Sequence, residues 1–308
     1  MINRNIARLK VVQLVYADYK NGGKSVDVAM KELAFSLSKT YDLYQYLLLL
    51  IPDITDYAQK RSESLNDHLA QIGSEDHSKD RFLKNRFAAQ LNENKQLQEF
   101  AREKGRHAWT EAEGMVKKLY KDITESDIYE AYMRSDEDSY NADREFWCKV
   151  YKKFIYYNDD LENLLEEWSL YWNDDKEIVD TFVMKSMKRF EESKGANQPL
   201  LPDYSEDEDR EFAGRLFETI LKNRPEYEKL IQTHAKNWDF SRIAMMDVVI
   251  MVCALAEIVN FPTIEVSVTL NEYINLAKLY SSPKSASFVN GVLDRIVRDL
   301  RAEKKILK

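Results

Sequence analysis

The sequence predicts an all-α protein built as a helical bundle, and three observations support this fold class. Glycine and proline together number 14 in 308 residues, about a third of their usual proportion, and helix interiors exclude both residue types. Apolar residues recur three or four positions apart over long stretches, which is the period of a helix. No hairpin dipeptide stands between alternating apolar and polar runs, so no strand is predicted.

The amino-terminal part is predicted to begin with two helical segments. Apolar spacing over residues 6–19 indicates a first amphipathic helix, which Gly22 and Gly23 are expected to end. A second helical block covers 25–60. Pro52 within this block is expected to start a new helix or to break the block.

The middle of the chain, over 61–114, is polar and rich in helix-forming residues, with a turn expected at 73–76. A short helix is predicted at 120–132 and a loop at 135–139. Gly195 and two prolines up to Pro202 indicate a linker. The predicted domains are amino-terminal helices at 1–60, a helical insertion at 61–200 and a carboxyl-terminal helical part at 203–308.

The most apolar segment, 243–259, contains only two charged side chains, Asp247 and Glu257. It is too short and too polar to span a bilayer, so a buried central helix is expected and no membrane association is predicted. Asn260 to Pro262 should end that helix. Ser282-Pro283 then has the N-cap and first-turn residue types that start a last helix.

Two segments 66 residues apart share a sequence pattern. Asp143-Arg144-Glu145-Phe146 recurs as Asp209-Arg210-Glu211-Phe212, and Trp172 corresponds to Trp238 at the same offset. One interpretation is a duplicated helical hairpin, with 143–180 and 209–246 as its copies. The alternative is chance agreement, because any two amphipathic helices share a period.

The net charge of −8 is distributed unevenly. Residues 1–24 and 295–308 each carry a net charge of +4, so the segment between them carries −16. Basic ends on an acidic body suit a local anion site, although 295–308 equally fits a solvated helix tail. Cys148 and Cys253 are too few for a disulfide framework and no signal peptide is recognised, so a cytoplasmic protein is expected.

Sequence motifs that would indicate an enzyme are missing. The eight glycines form no phosphate-binding loop, no nucleophile elbow occurs, and neither cysteine has activating neighbours. The four histidines, His68, His77, His107 and His234, have no metal-ligand spacing, and His68 and His77 are expected at the surface of a polar helical hairpin. We therefore predict a protein that is not an enzyme and that needs no metal and no cofactor.

Polar residues inside apolar helices are candidates for structural roles. Asp247 is expected to pair with Arg242 or another cation, because an unpaired charge in an apolar helix is costly. Asn271 and Glu272 stand beside core residues of the next helix. On their own they favour a buried hydrogen-bond network over a ligand site.

Several motifs in 209–300 occur in a characteristic order. They are the apolar run with Glu257 before Pro262, then Asn271-Glu272 and Leu276-Ala277-Lys278, then Phe288-Val289-Asn290-Gly291-Val292-Leu293-Asp294. Ala7-Arg8, Gln13-Leu14 and Tyr16 stand near the amino terminus. Together these residues resemble the NusB family of transcription antitermination factors. The resemblance implies a NusB-type helical bundle, enlarged by the insertion.

The resemblance also implies a function. Members of the family bind boxA, a short single-stranded RNA, together with the ribosomal small-subunit protein NusE, in the transcription elongation complex on ribosomal RNA operons. The RNA face maps onto Arg4, Arg8, Lys10, Gln13, Tyr16, Lys278, Lys284 and Phe288. Cations suit phosphates, while aromatic and amide groups suit unstacked bases. Asn290 and Gly291 have a structural role, the glycine allowing a close approach of two helices.

Two alternatives stay open. The helical fold also resembles the RNA-binding module of ribosomal-RNA cytosine methyltransferases, but neither a glycine-rich cofactor motif nor the strands of a cofactor domain is found in 61–200. The other alternative is a protein-interaction scaffold with weak or no RNA binding, which the acidic middle favours. A salt-dependent RNA-binding assay separates these possibilities, because phosphate contacts make the affinity depend on salt.

Overall fold

The computed structural model describes residues 1–70, 80–104, 107–235 and 242–306. Helices dominate this part of the chain and it contains no strand; Ile2 and Tyr204 form an isolated parallel bridge. The all-α prediction is confirmed. The helices form two compact units, which we call unit 1 (1–38 and 203–308) and unit 2 (39–202). The predicted bounds of 1–60, 61–200 and 203–308 stay a prediction about domain roles.

Unit 1 begins with α1, Arg4–Asn21, and includes the first residues of α2, Val26–Ala70. The Asn3 side chain caps the amino end of α1, and Gly22 ends the helix at φ 81°. Glycine adopts this left-handed conformation at little cost. The predicted end of the first helix at Gly22 is therefore confirmed.

In the described part of unit 1 four further α-helices follow: α12, Asp207–His234; α13, Met245–Asn260; α14, Val266–Tyr280; and α15, Pro283–Ala302. Helix α13 is buried from Asp247 to Ile258 and packs against α1, α12, α14 and α15. The prediction of a buried central helix is confirmed. Ser282 caps α15 by accepting a hydrogen bond from the Ser285 backbone amide, with Pro283 in the first turn, as the sequence predicts.

The described residues of unit 2 form the rest of α2 and nine shorter α-helices: α3, Asp80–Leu83; α4, Arg86–Glu93; α5, Lys95–Lys104; α6, His107–Glu111; α7, Glu113–Thr124; α8, Asp127–Arg134; α9, Tyr140–Val150; α10, Asp159–Trp168; and α11, Lys176–Arg189. Its core is aromatic. The Phe82 ring lies 5.5–5.9 Å, centre to centre, from the rings of Tyr129, Phe146 and Trp147. Such rings bury large apolar areas in few residues, which lets these short helices share one core.

Two of the helix predictions, one at Pro52 and one at 120–132, are wrong. Pro52 neither starts nor breaks a helix but lies buried inside α2. A proline there costs about 3 kcal/mol, and the burial of the adjoining apolar run 47–51 offsets this cost. The single helix predicted at 120–132 is divided, because Ser126 accepts a hydrogen bond from the Tyr129 amide and starts α8. The predicted loop at 135–139 is confirmed.

The duplication hypothesis is also wrong. The chain leaves the helix at 156–158, where the Asn158 side chain caps α10. The corresponding residues, 222–224, lie inside the uninterrupted α12. This difference in helix continuity favours the alternative, a chance agreement between two amphipathic helices. Trp238, one of the matched tryptophans, lies outside the described residues.

The four histidines are described only in part. His77 and the turn expected at 73–76 lie outside the described residues, as do the side chains of His68 and His107. His234, at the end of α12, is half-buried; its Nε2 lies 2.9 Å from an Asp299 carboxylate oxygen and its Nδ1 lies 2.7 Å from the Leu230 carbonyl oxygen. It helps to hold α12 against α15.

Candidate nucleic-acid interface

Arg8 on α1 is buried in a charge cluster inside unit 1. Its Nε and Nη2 atoms each lie 2.8 Å from a carboxylate oxygen of Glu257 on α13, which is a two-point ion pair. The Thr269 hydroxyl on α14 donates to the same carboxylate at 2.8 Å. One buried cluster therefore joins α1, α13 and α14.

The cluster explains the polar residues at the centre of unit 1. Glu257 is fully buried, and a carboxylate without its cation there would cost several kcal/mol. Burial, together with the neighbouring Glu257 charge, raises the pKa of Tyr273 well above its ordinary value. Arg8 is 3% exposed and Lys10 is 0% exposed. The structure contradicts the placement of Arg8 and Lys10 on an RNA-facing surface, because neither side chain reaches solvent.

Arg4 is more exposed than Arg8 but is held by acidic residues. Its guanidinium lies 3.3 Å from a Glu208 carboxylate oxygen and 3.5 Å from one of Asp209, both in the first turn of α12. It also lies 5.7 Å from the centre of the Phe212 ring. The two carboxylates offset its charge, so Arg4 and Arg8 do not form the basic patch expected from their spacing.

The second half of α1 meets the end of α14. The Gln13 amide donates to the Tyr280 hydroxyl at 2.9 Å. Tyr16, one turn further along α1, is half-exposed, and the Lys20 ammonium lies 5.7 Å from its ring centre. Amide, phenol and ammonium groups therefore share this end of unit 1.

The loop between α14 and α15 carries exposed cations on both sides. Lys278 precedes the loop, Lys284 follows it, and both side chains are exposed. The Ser281 hydroxyl donates to Asp247 at 2.6 Å, so the loop is attached to the first turn of α13. The prediction that Asp247 pairs with Arg242 is wrong. Among the described residues its carboxylate is bound by the Ser281 hydroxyl rather than by a cation.

The remaining motif residues lie on α14 and α15. Phe288 is half-exposed, whereas Asn290 and Gly291 are exposed. A Cβ atom added at Gly291 would meet nothing within 4 Å, so the expected close helix approach there is wrong. Asn271 is exposed and Glu272 is half-buried. The buried network expected from these two residues is instead the one around Arg8.

Sequence reasoning placed Tyr280 within the range 278–288 of the RNA face, but it missed Lys20 beside Tyr16 and it missed the partner of Arg8. The one available signal was Glu257, a carboxylate inside an apolar helix that needs a buried cation. Nothing local identifies that cation, because Arg8 is 249 positions away.

Potential metal ligands and cysteine thiols are two kinds of reactive group in the described residues. These residues contain no cluster of three or more potential metal ligands. Burial raises the pKa of both cysteine thiols, Cys148 and Cys253, so neither is a ready thiolate near neutral pH. No described helix is both long and apolar enough to cross a membrane.

Comparison with known proteins places these helices in a family. The family model described as NusB family matches residues 178–298. The transcription antitermination protein NusB of Salinibacter ruber is 39% identical over 132 residues, which cover 82% of that protein and 41% of this chain. This chain belongs to the NusB family.

Other NusB proteins agree with this assignment. The one from Koribacter versatilis is 43% identical over 100 residues, covering 68% of that protein and 32% of this chain. The one from Symbiobacterium thermophilum is 35% identical over 122 residues, covering 76% and 40% respectively. No solved structure matches the chain. The family model begins at residue 178 and includes α12, α13 and α14. Because unit 2 covers residues 39–202, most of it lies outside the family model.

Proposed function

We propose that this NusB-family protein is an RNA-binding transcription antitermination factor of ribosomal RNA operons. In this proposal it binds boxA-like single-stranded RNA together with NusE, within the transcription elongation complex. The names of its relatives support antitermination. The observation that carries RNA binding is the contact of Gln13 with Tyr280, which brings polar and aromatic groups of α1 to the helix that ends at the lysine-flanked loop.

The proposed RNA surface, called the loop face, consists of Gln13, Tyr16, Lys278, Tyr280 and Lys284. Two exposed ammonium groups can hold phosphates, and the amide and phenol groups can contact unstacked bases. The half-exposed ring of Phe288 and the partly offset charge of Arg4 are proposed to lie at its margin. Arg8 and Lys10 are excluded from it.

The distribution of charge favours RNA binding by unit 1. Unit 1 has 21 basic and 20 acidic residues, a net charge of +1, whereas unit 2 has 24 and 33, a net charge of −9. An RNA strand is repelled by an acidic surface and attracted to exposed lysines. The loop face therefore has the more favourable electrostatic setting of the two units.

Binding of NusE is proposed for the exposed side of α14. Val268 and Leu279 on this helix are 44% and 58% exposed. They stand eleven positions apart, about three helical turns, and so lie on one face with Asn271. Exposed apolar side chains on one helix face suit contact with a protein.

The test is the salt dependence of binding to a fluorescent boxA-like RNA, measured with and without NusE. The logarithm of the affinity falls linearly with the logarithm of the salt concentration, and each phosphate contact in single-stranded RNA contributes about 0.7 to this salt slope. Lys278→Ala/Lys284→Ala should therefore make the salt slope shallower by about 1.4. The matched control is Lys222→Ala/Lys229→Ala on α12, which should keep the wild-type slope.

Two results would contradict parts of this proposal. Wild-type affinity and slope in the Lys278/Lys284 variant would show that the loop face is misplaced. Calorimetric binding of NusE with no RNA binding at any salt concentration would favour the interaction scaffold instead.

A further inference from the structure

A basic groove lies in unit 2, between the carboxyl-terminal half of α2 and α7. We call it the α2–α7 groove; its volume is about 520 Å³. Its lining includes Tyr57, Gly114 and four cations, Arg61, Lys117, Lys118 and Lys121, against one carboxylate, Glu125. Tyr57 and Arg61 stand one turn apart on α2, and the lysines follow Gly114 on α7, so two helix faces meet here.

The cations of this groove stand out because unit 2 is acidic. Lys118 is bound to Asp160, and the Lys121 ammonium lies 4.0 Å from a Glu125 carboxylate oxygen. Arg61 and Lys117 are exposed and pair with no carboxylate among the residues that the structure describes. Two cations are therefore available to an anionic ligand.

The lysines of α7 are unfavourable for the helix itself. Lys117 and Lys121 are four positions apart, and like charges at this spacing destabilise a helix. Among the described residues, Glu125 offsets the charge of Lys121 only weakly, because its carboxylate oxygen lies 4.0 Å from the ammonium group. No described carboxylate pairs with Lys117. An anion in the groove would relieve this repulsion.

The ring of Tyr57 indicates which class of anionic ligand suits the α2–α7 groove. Tyr57 is half-exposed in the groove and packs edge-to-face on the buried Tyr120, with ring centres 5.4 Å apart and an interplanar angle of 65°. This support holds the Tyr57 ring in place. A fixed, partly exposed ring beside cations is how proteins bind single-stranded nucleic acid, stacking a base and holding its phosphate.

Gly114 leaves room in the groove. A Cβ atom at this position would meet nothing within 4 Å, and the residue is exposed in the first turn of α7. A side chain added here would therefore occupy the groove without disturbing the helix. This gives a way to block the groove while every cation stays in place.

We propose that the α2–α7 groove binds nucleotides of single-stranded RNA, with Arg61 and Lys117 on phosphates and Tyr57 stacked on a base. The proposal deepens the RNA-binding function and rests on it for the identity of the ligand. The acidic remainder of unit 2 repels RNA and so confines binding to the groove.

The test uses the full-length protein and two probes, a fluorescein-labelled uridine 12-mer and free ADP. Arg61→Ala/Lys117→Ala should weaken 12-mer binding about tenfold near 0.1 M salt and flatten the salt slope by about 1.4. Gly114→Phe should weaken binding while keeping both cations. The matched control, Lys95→Ala/Arg102→Ala on α5, removes one lysine and one arginine that are exposed outside the groove, and should bind as wild type does.

The outcomes separate this proposal from the loop face. Weaker binding in both groove variants supports the proposal, and displacement of the 12-mer by ADP would show that a free nucleotide also occupies the groove. If both groove variants bind the 12-mer with wild-type affinity and slope, the groove is not an RNA site, even where Lys278→Ala/Lys284→Ala weakens binding. The reverse pattern, with only the groove variants affected, would overturn the loop face and keep the groove.

Discussion

The buried ion pair of Arg8 and Glu257 allows the sharpest prediction about unit 1. Arg8→Met would leave the Glu257 carboxylate buried without its cation, while the Thr269 hydroxyl still donates a hydrogen bond to it. Breaking a buried pair in this way costs about 3–5 kcal/mol, a large part of the usual 5–15 kcal/mol of folding stability. The double variant Arg8→Met/Glu257→Leu should recover most of the lost stability, because a buried ion pair can be replaced by apolar side chains of similar size at little cost.

Urea unfolding followed by circular dichroism measures these differences. The control is Arg298→Met on α15, since both side chains of the Arg298–Asp294 pair are exposed and such pairs contribute under about 1 kcal/mol. The folded double variant should bind RNA with the wild-type salt slope, because Arg8 does not reach the surface. An Arg8→Met variant that unfolds at the same urea concentration as the wild type would refute the reasoning. So would a slope reduced by about 0.7 in the double variant, the amount expected for one lost phosphate contact.

Two further predictions concern stability. Gly291→Ala should raise the thermal unfolding midpoint, because an alanine in an exposed helical position with open space is favoured by up to about 1 kcal/mol; a lower midpoint would show a close contact there. Burial raises the pKa of Asp180 to about 6 despite its bond to Lys176, so the folded state binds this proton more tightly than the unfolded chain does. The free energy of unfolding should therefore decrease as the pH rises from about 4 to 6, and Asp180→Asn should remove that part of the dependence. An unchanged pH profile in the variant would contradict this assignment.

The sequence predicts well what short-range chemistry decides. Gly22 ends α1 because its backbone is left-handed, and Ser282 caps α15 through its own side chain. Each signal lies within a few residues of the element it terminates. The apolar run that forms α13 is equally visible, since almost every side chain in it is apolar.

What depends on distant contacts could not be predicted. Arg4 and Arg8 look alike in sequence. Arg8 pairs with the buried Glu257 and is itself buried, whereas Arg4 pairs with the exposed Glu208 and stays partly exposed. Pro52 has the signal of a helix break, but burial of the residues around it decides in favour of one continuous helix. The α2–α7 groove joins residues about 60 positions apart, so no local motif reveals it.

The most direct test of the proposed function is to recover the full-length protein from cells after ultraviolet cross-linking and to sequence the RNA bound to it. Our proposal predicts that the reads concentrate in ribosomal RNA leaders at boxA-like segments, and that NusE is recovered with them. Reads spread over transcripts in proportion to their abundance, or no RNA above the level of an uncross-linked sample, would contradict it.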